Sequence, residues 1–202
     1  MFDFETKWYD LGADYVCGID EAGRGPLYGP VFAAAVILKK EDLIEGVNDS
    51  KKLSEKKREM LFKEIISRSL SYSIASASAK EIDEINILNA TMLAMKRAFE
   101  GLSVKPSVAL IDGISAPPIS AQTECVVKGD SKSASIAAAS ILAKVARDRS
   151  IKEDGEKYPE YALEKHKGYG TKAHYEAILE YGLLPEHRRS FLKNLDEKRT
   201  KI

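Results

Sequence analysis

The sequence predicts an α/β domain followed by a small helical region. Three observations predict it. Short apolar segments bounded by Gly, Pro and Asp alternate with longer stretches of helical spacing; several of those short segments end on an acidic residue; and strand signals stop beyond Lys152. The domain is read as residues 1–152, and the helical region with its polar tail as 153–202.

Taken in order, Tyr15 to Ile19 predicts a short buried strand, and the Gly- and Pro-rich stretch Gly23 to Pro30 turns the chain into a second one, Val31 to Leu38. Leu53-Ser54 opens a helix carrying Met60, Leu61, Ile65 and Ile66, and Ser71 to Ala77 alternates small polar and apolar residues as a third strand does. Ser78 with Glu81 forms a capping box, and Asn89 can cap a further helix bearing Met92, Leu93, Met95 and Phe99 that Gly101 stops. Val108 to Ile111 and Cys125 to Val127 read as two more strands, each followed within a few residues by Gly and Asp. From Ser133 to about Asp148 an Ala-rich helix has small residues on most faces, so it is expected to lie close to the sheet. Beyond it, Tyr158-Pro159, Gly168-Tyr169-Gly170 and Gly182 punctuate short helical pieces such as Thr171 to Tyr181, and the tail past Leu192 is expected to fray.

Composition narrows the class. A chain of 202 residues, 44% apolar, with 31 basic and 31 acidic residues, is long enough to bury a real core and too mixed in charge for a disordered tail. The longest unbroken apolar run, Val31 to Leu38, is far below the roughly 18 residues that suggest a membrane span. The N-terminus carries acids where a signal peptide has a basic start. Cys17 and Cys125, each inside an apolar segment, read as two buried thiols in a reducing compartment, so the expectation is a cytoplasmic protein. Net neutrality covers local basic clusters: residues 51–58 hold Lys51, Lys52, Lys56, Lys57 and Arg58 against Glu55 alone, and 128–152 and 165–174 are basic too. Such runs read either as solvated helix faces or as a local polyanion track.

The chemistry sits at strand ends. Asp20 and Glu21 follow the first strand, Asp112 follows Val108 to Ile111, and Asp130 follows Cys125 to Val127 and Lys128-Gly129. Ligand sites of α/β sheets gather at that edge. Asp130 alone could equally cap the helix after it. Hard oxygen donors suit Mg²⁺ or Mn²⁺, and without CxxC or HExxH zinc is not expected. Because adjacent strand residues point to opposite faces, Asp20 and Glu21 are expected to share a metal pair only if the chain leaves regular β geometry at Glu21, with Gly23 supplying the freedom. The spacing of Gly23, Gly25 and Gly29 fails the dinucleotide fingerprint, and no phosphate-binding loop of the G-x-x-x-x-G-K type occurs. Gly23-Arg24-Gly25 instead suggests backbone brought close to a substrate, with Arg24 available to a phosphate.

Seven segments in order and spacing resemble bacterial ribonuclease HII: Gly18 to Pro26, Asn48 to Leu53, Leu110 to Gly113, Lys128 to Lys132, Ala138 to Lys144, Lys167 to Thr171 and His187 to Phe191. The resemblance covers residues 15 to about 191. It implies a ribonuclease H-like mixed central sheet flanked by helices, with a C-terminal helical region that binds substrate. It also implies an endonuclease that cleaves the RNA strand of RNA-DNA hybrids, and 5′ of ribonucleotides embedded in duplex DNA. Two Mg²⁺ or Mn²⁺ ions would serve hydrolysis to 5′-phosphate and 3′-hydroxyl ends. Position by position, Asp20, Glu21, Asp112 and Asp130 resemble the metal-binding catalytic acids, Gly23, Arg24 and Gly25 the ribose-reading loop, and Tyr169 the residue stacking on the neighbouring deoxyribose. Lys51 and Lys132 fall in segments expected near phosphates, and the protein is expected to be a monomer. Tyr28 departs from the small residue common there, which bears on packing beneath the loop.

Rival readings remain at this point. A four-acid exonuclease of the same broad fold would carry Asp-x-Glu on its first strand, whereas these acids are adjacent. The sister ribonuclease HIII is expected to have an N-terminal extension where only about 14 residues precede the first strand here. A non-catalytic hybrid-binding module would not need four acids. His166, His174 and His187 read as structural, Asp148 as an i, i+4 partner of Lys144, and Trp8 and Phe99 as core.

Overall fold

The computed structural model describes residues 1–40, 42, 44–47 and 53–193; Lys51, Lys52 and the tail from residue 194 lie outside it. Five strands form one mixed sheet: β1 (Val16–Ala22), β2 (Val31–Ile37), β3 (Ser71–Ala77), β4 (Val108–Asp112) and β5 (Gln122–Val126), in the order β3-β2-β1-β4-β5. β1, β4 and β5 run parallel, while β2 pairs antiparallel with β1 and β3. The carboxyl ends of the three parallel strands therefore share one edge.

Alternation along the strands divides the core. Cys17, Ile19, Ala109 and Ile111 pack with Ile82, Ala94, Met95 and Phe99 of α3 (Ala79–Glu100) on one face. Ala34 and Val36 pack on the other face with α2 (Glu55–Arg68) and with α4 (Ala134–Lys157). The low-profile residues of α4 bring it to backbone contact with the sheet. A Cβ on Gly18 would lie 2.1 Å from the Ser135 carbonyl carbon, so only glycine admits the helix at that depth. The caps on Ser54 and the Ser78–Glu81 box form as expected.

Several expectations are corrected. β1 does not end at Ile19: the hairpin with β2 keeps Asp20 opposite Ala34 and Glu21 opposite Ala33, and the chain turns only at Gly23, φ +98°. The break in α3 is at Asn86, φ 66°, whose side-chain oxygen accepts from the Asn89 N–H at 3.1 Å; Asn86 is the cap, not Asn89. Cys125 is exposed, because β5 is an edge strand, and only Cys17 is a buried thiol. α4 runs unbroken to Lys157, past the end read at about Asp148. A helix not anticipated, α1 (Asp3–Asp10), packs Phe4, Trp8 and Tyr9 beside Val16 and Val108, and Trp8 donates its indole N–H to Glu124 at 2.5 Å.

The C-terminal pieces, α5 (Leu163–His166) and α6 (Lys172–Tyr181), form their own cluster with Leu27, Tyr28 and Ile151. Tyr28 is 1% exposed, with its ring edge on His187 at 5.0 Å. It is the plug between loop and helices, which answers the packing question its size raised. No helix among the described residues is long and apolar enough to cross a membrane.

Candidate active site

Parallel register assembles the acids. Ile19 lies opposite Ile111, so the residues that follow, Asp20 and Asp112, stand side by side on the face covered by α4. The Asp112 carboxylate accepts the Gly129 N–H at 2.6 Å, which draws the 3₁₀ turn Gly129–Ser131 and its buried Asp130 to the same edge. Asp130 does not cap α4; Ser133 does, accepting from the Ile136 N–H at 3.2 Å. The bland reading of Asp130 therefore falls.

Asp20 is 5% exposed. Burial, then the neighbouring charges of Glu21 and Asp112, push its carboxyl well above the usual range, against hydrogen bonds from the Glu21 N–H and the Ser140 hydroxyl. Burial also raises Glu21, opposed by the Arg24 guanidinium at 3.2 Å, with Asp112 acting in the same direction as burial. Glu21 therefore feels both neighbouring acids from within the ladder, without the local departure from β geometry that the sequence suggested.

A cleft of about 290 Å³ opens at Asp20 and Glu21, lined by Gly23, Arg24, Gly25, Ser140, Lys144, Arg147 and Tyr169. The Gly-Arg-Gly loop and Tyr169 thus line one cleft, although they lie 144 to 146 positions apart in the chain. A Cβ on Gly25 would sit 3.4 Å from the Tyr169 ring, an ordinary contact. At Gly23 the positive φ and Arg147 Nε, 2.3 Å from a would-be Cβ, exclude any side chain. Tyr169 is 48% exposed, with Arg147 5.9 Å from its ring centre. Lys132 is exposed and donates to the Val127 carbonyl at 2.8 Å; Lys51 is outside the described residues.

Ser140, Lys144 and Arg147 were not singled out for the site. Their signal was available: polar residues at i, i+4 and i+7 of an otherwise Ala-rich helix share one face. Lys144 pairs with Asp148 at 2.6 Å, as the spacing predicted. Arg147 is 1% exposed, donates to the Lys167 carbonyl at 2.7 Å and leaves its Nε without a hydrogen-bond partner.

The histidines are structural, as expected. His187 Nδ1 accepts the Leu184 N–H at 2.8 Å, so its proton is on Nε2, which faces His174 Nε2 at 3.1 Å. His174 then carries its proton on Nδ1 and donates to the Tyr169 carbonyl at 2.9 Å. Burial holds both rings down to about 4.

The donor chemistry suits a hard divalent cation. Burial, and then the charges of Glu21 and Asp112, disfavour the charged form of Asp20, which is what a bound cation relieves, and the Ser140 hydroxyl donates to the same carboxylate. Among the described residues no three acidic, His or Cys side chains already form a cage. Mg²⁺ needs none, because it takes one or two carboxylates and completes its shell with water and substrate phosphate.

Helices on both faces of this mixed sheet, with acids at the shared carboxyl edge, define a ribonuclease H-like nuclease domain. A ribonuclease H2 crystal structure from Pyrococcus horikoshii OT3 superposes with a TM-score of 0.76 at 30% identity, over 93% of this chain and 100% of that one. Residues 17–194 match the family model for ribonuclease HII, and the chain belongs to that family. It is 57% identical to the ribonuclease HII of Caldicellulosiruptor bescii over 96% of this chain and 94% of that protein. It is 58% identical to that of Shewanella pealeana over 86% of each. The chain is accordingly an enzyme, a type 2 ribonuclease H.

Proposed function

We propose that this enzyme cleaves the RNA strand of RNA-DNA hybrids, and 5′ of ribonucleotides embedded in duplex DNA, by phosphodiester hydrolysis leaving 5′-phosphate and 3′-hydroxyl ends. The observation that carries the reading is the sharing of one cleft by Asp20, Glu21, the Gly23-Arg24-Gly25 loop and Tyr169, with Asp112 next to Asp20 on the ladder. Asp20, Glu21, Asp112 and Asp130 would hold two Mg²⁺ or Mn²⁺ ions. Bound there, the cations supply the Lewis acidity that hydrolysis of a phosphodiester needs.

The protein's own groups do the rest. Arg24, half exposed at the rim, is free to swing from Glu21 to a phosphate. Lys144 and Arg147 set positive charge on the cleft wall beneath the scissile strand. Ribose differs from deoxyribose only at the 2′-hydroxyl, both donor and acceptor, and the small loop residues let backbone groups reach it. Tyr169 offers an exposed ring for the next sugar, and brings the C-terminal helical region into substrate binding. Lys51 and Lys132 would serve phosphates further along the duplex. The enzyme is taken to act as a monomer in the cytoplasm.

The test presents a duplex with one ribonucleotide, a long RNA-DNA hybrid and plain DNA, each with Mg²⁺, Mn²⁺ or EDTA, and maps the cut. Metal-dependent incision 5′ of the ribonucleotide is expected. Equal cleavage of the ribo and deoxy duplexes would sink the reading. Gly25→Ala is the cleaner probe of the loop, since its Cβ meets only an ordinary contact, whereas a side chain at Gly23 breaks the loop itself.

A further inference from the structure

Arg188 has no exposed surface. Burial, and then the nearby charge of Arg147, lower its guanidinium to about 9. A buried cation is costly to desolvate, so its partners are informative. Nε donates to the Gly29 carbonyl at 2.8 Å, Nη1 to those of Arg24 and Pro26 at 2.9 and 2.8 Å, and Nη2 to that of Gly23 at 2.6 Å. One rigid fork thus gathers four carbonyls of a single loop. Lysine, with three donors radiating from one atom, cannot span them.

The orientation has a consequence for the opposite side of the loop. A trans peptide sets its N–H opposite its C=O. With the Gly23 and Arg24 carbonyls aimed at Arg188, the N–H groups of Arg24 and Gly25 are turned away from it, on the side where these residues line the cleft. The backbone of Arg188 itself is tied by its N–H to the Leu27 carbonyl at 2.8 Å, so the template cannot drift from the loop it shapes.

We propose that Arg188 is a positioning residue for sugar discrimination: it fixes the Gly23–Gly29 carbonyls inward so that the Arg24 and Gly25 amides face the 2′-hydroxyl. The inference rests on the reading of the loop given above. It touches no substrate atom and acts only through the loop.

The experiment measures binding in Ca²⁺ and single-turnover cleavage in Mg²⁺ on two duplexes that differ by one 2′-hydroxyl. Wild type is expected to bind the ribo duplex more tightly. In Arg188→Lys cleavage should fall on the order of 100-fold, as for an ångström-scale misplacement, and the ribo preference in binding should vanish while affinity for the deoxy duplex changes less than about threefold. Asp83→Ala is the control: it removes the carboxylate that accepts from the Arg189 and Ser190 N–H groups and the Ser190 hydroxyl, and so loosens the same segment and withdraws a nearby charge from Arg188 while leaving all four hydrogen bonds of the fork in place. It should lower the melting temperature and keep the preference. Retention of the preference in Arg188→Lys, or its equal loss in Asp83→Ala, overturns the inference alone; absence of any preference in wild type overturns the ribose reading beneath it. Should Arg188→Lys not fold, hydrogen exchange of the Arg188 Nε–H in wild type decides. Strong protection is expected, and exchange at the rate of an exposed arginine overturns the proposal.

Discussion

Asp20 and Asp112 take their positions from ladder register, Ile19 opposite Ile111, whereas the loop from Gly23 to Gly29 takes its path from a side chain 159 to 165 positions later. The two regions border the same cleft. One is set by backbone pairing that no single side chain supplies; the other depends on one guanidinium, on Tyr28 beneath it and on the His174–His187 pair that holds Tyr169. Substitution at the acidic edge should therefore remove chemistry and leave the fold, while substitution around the loop should alter recognition and stability together.

The sharpest separation is expected at Asp112→Asn. The amide oxygen can still accept from Gly129, so the melting temperature should hardly move. Loss of a charge worth several kcal/mol to the bound cations should lower turnover by about 10³-fold or more. Asp130→Asn should behave alike, since Ser133 and not Asp130 caps α4. Near-normal turnover in folded protein would take the acidic edge out of the reaction.

On the loop side, Tyr169→Ala should weaken productive binding by about 1 to 3 kcal/mol, with base stacking as the guide, and cost little stability because the ring is half exposed. A large melting shift with unchanged kinetics would make it a packing residue instead.

Acid should loosen the loop side first. His174 and His187 stay neutral in the fold down to about 4, while in the unfolded chain they protonate near 6.5. The unfolded state thus binds more protons between those values. The stability these residues contribute is complete above the unfolded value and drains away as pH falls toward the folded one. A drop of a few degrees in melting temperature is expected across that window. A flat profile would show that the rings titrate as if free. The smallest effect concerns the duplex track: reversing the charge of Lys51 and Lys52 should flatten the salt dependence of binding by up to about 2 slope units. An unaltered slope would route the nucleic acid elsewhere.

Legibility followed the same division. Strands, the placement of Asp20, Glu21 and Asp112 at strand ends, and the Ser78–Glu81 box were readable because each is announced by residues close in sequence. The Lys144–Asp148 pair was readable for the same reason. Arg147 and Arg188 were not, since a run of charge looks like a solvated face until the chain 120 or more residues away is known to cover it. Cys125 misled in the opposite sense: its segment lies on an edge strand on which only Val126 is buried. α1 gave no local sign either, because its Glu5 is buried only by reaching the Ser133 and Ser135 hydroxyls and the Ser135 N–H at the start of α4.

That last contact, with the seat at Gly18, makes α4 behave as a single bar about 36 Å long. Its amino end is clamped by α1, its next turns lie on β1 without a cushion of side chains, and its middle carries Ser140, Lys144 and Arg147 into the cleft. A bar seated this way has no slack in which to absorb a small displacement. Loosening the clamp, as in Glu5→Gln, would shift three cleft groups in concert, so damage at the amino terminus should surface as altered catalysis without any change in the residues of the cleft.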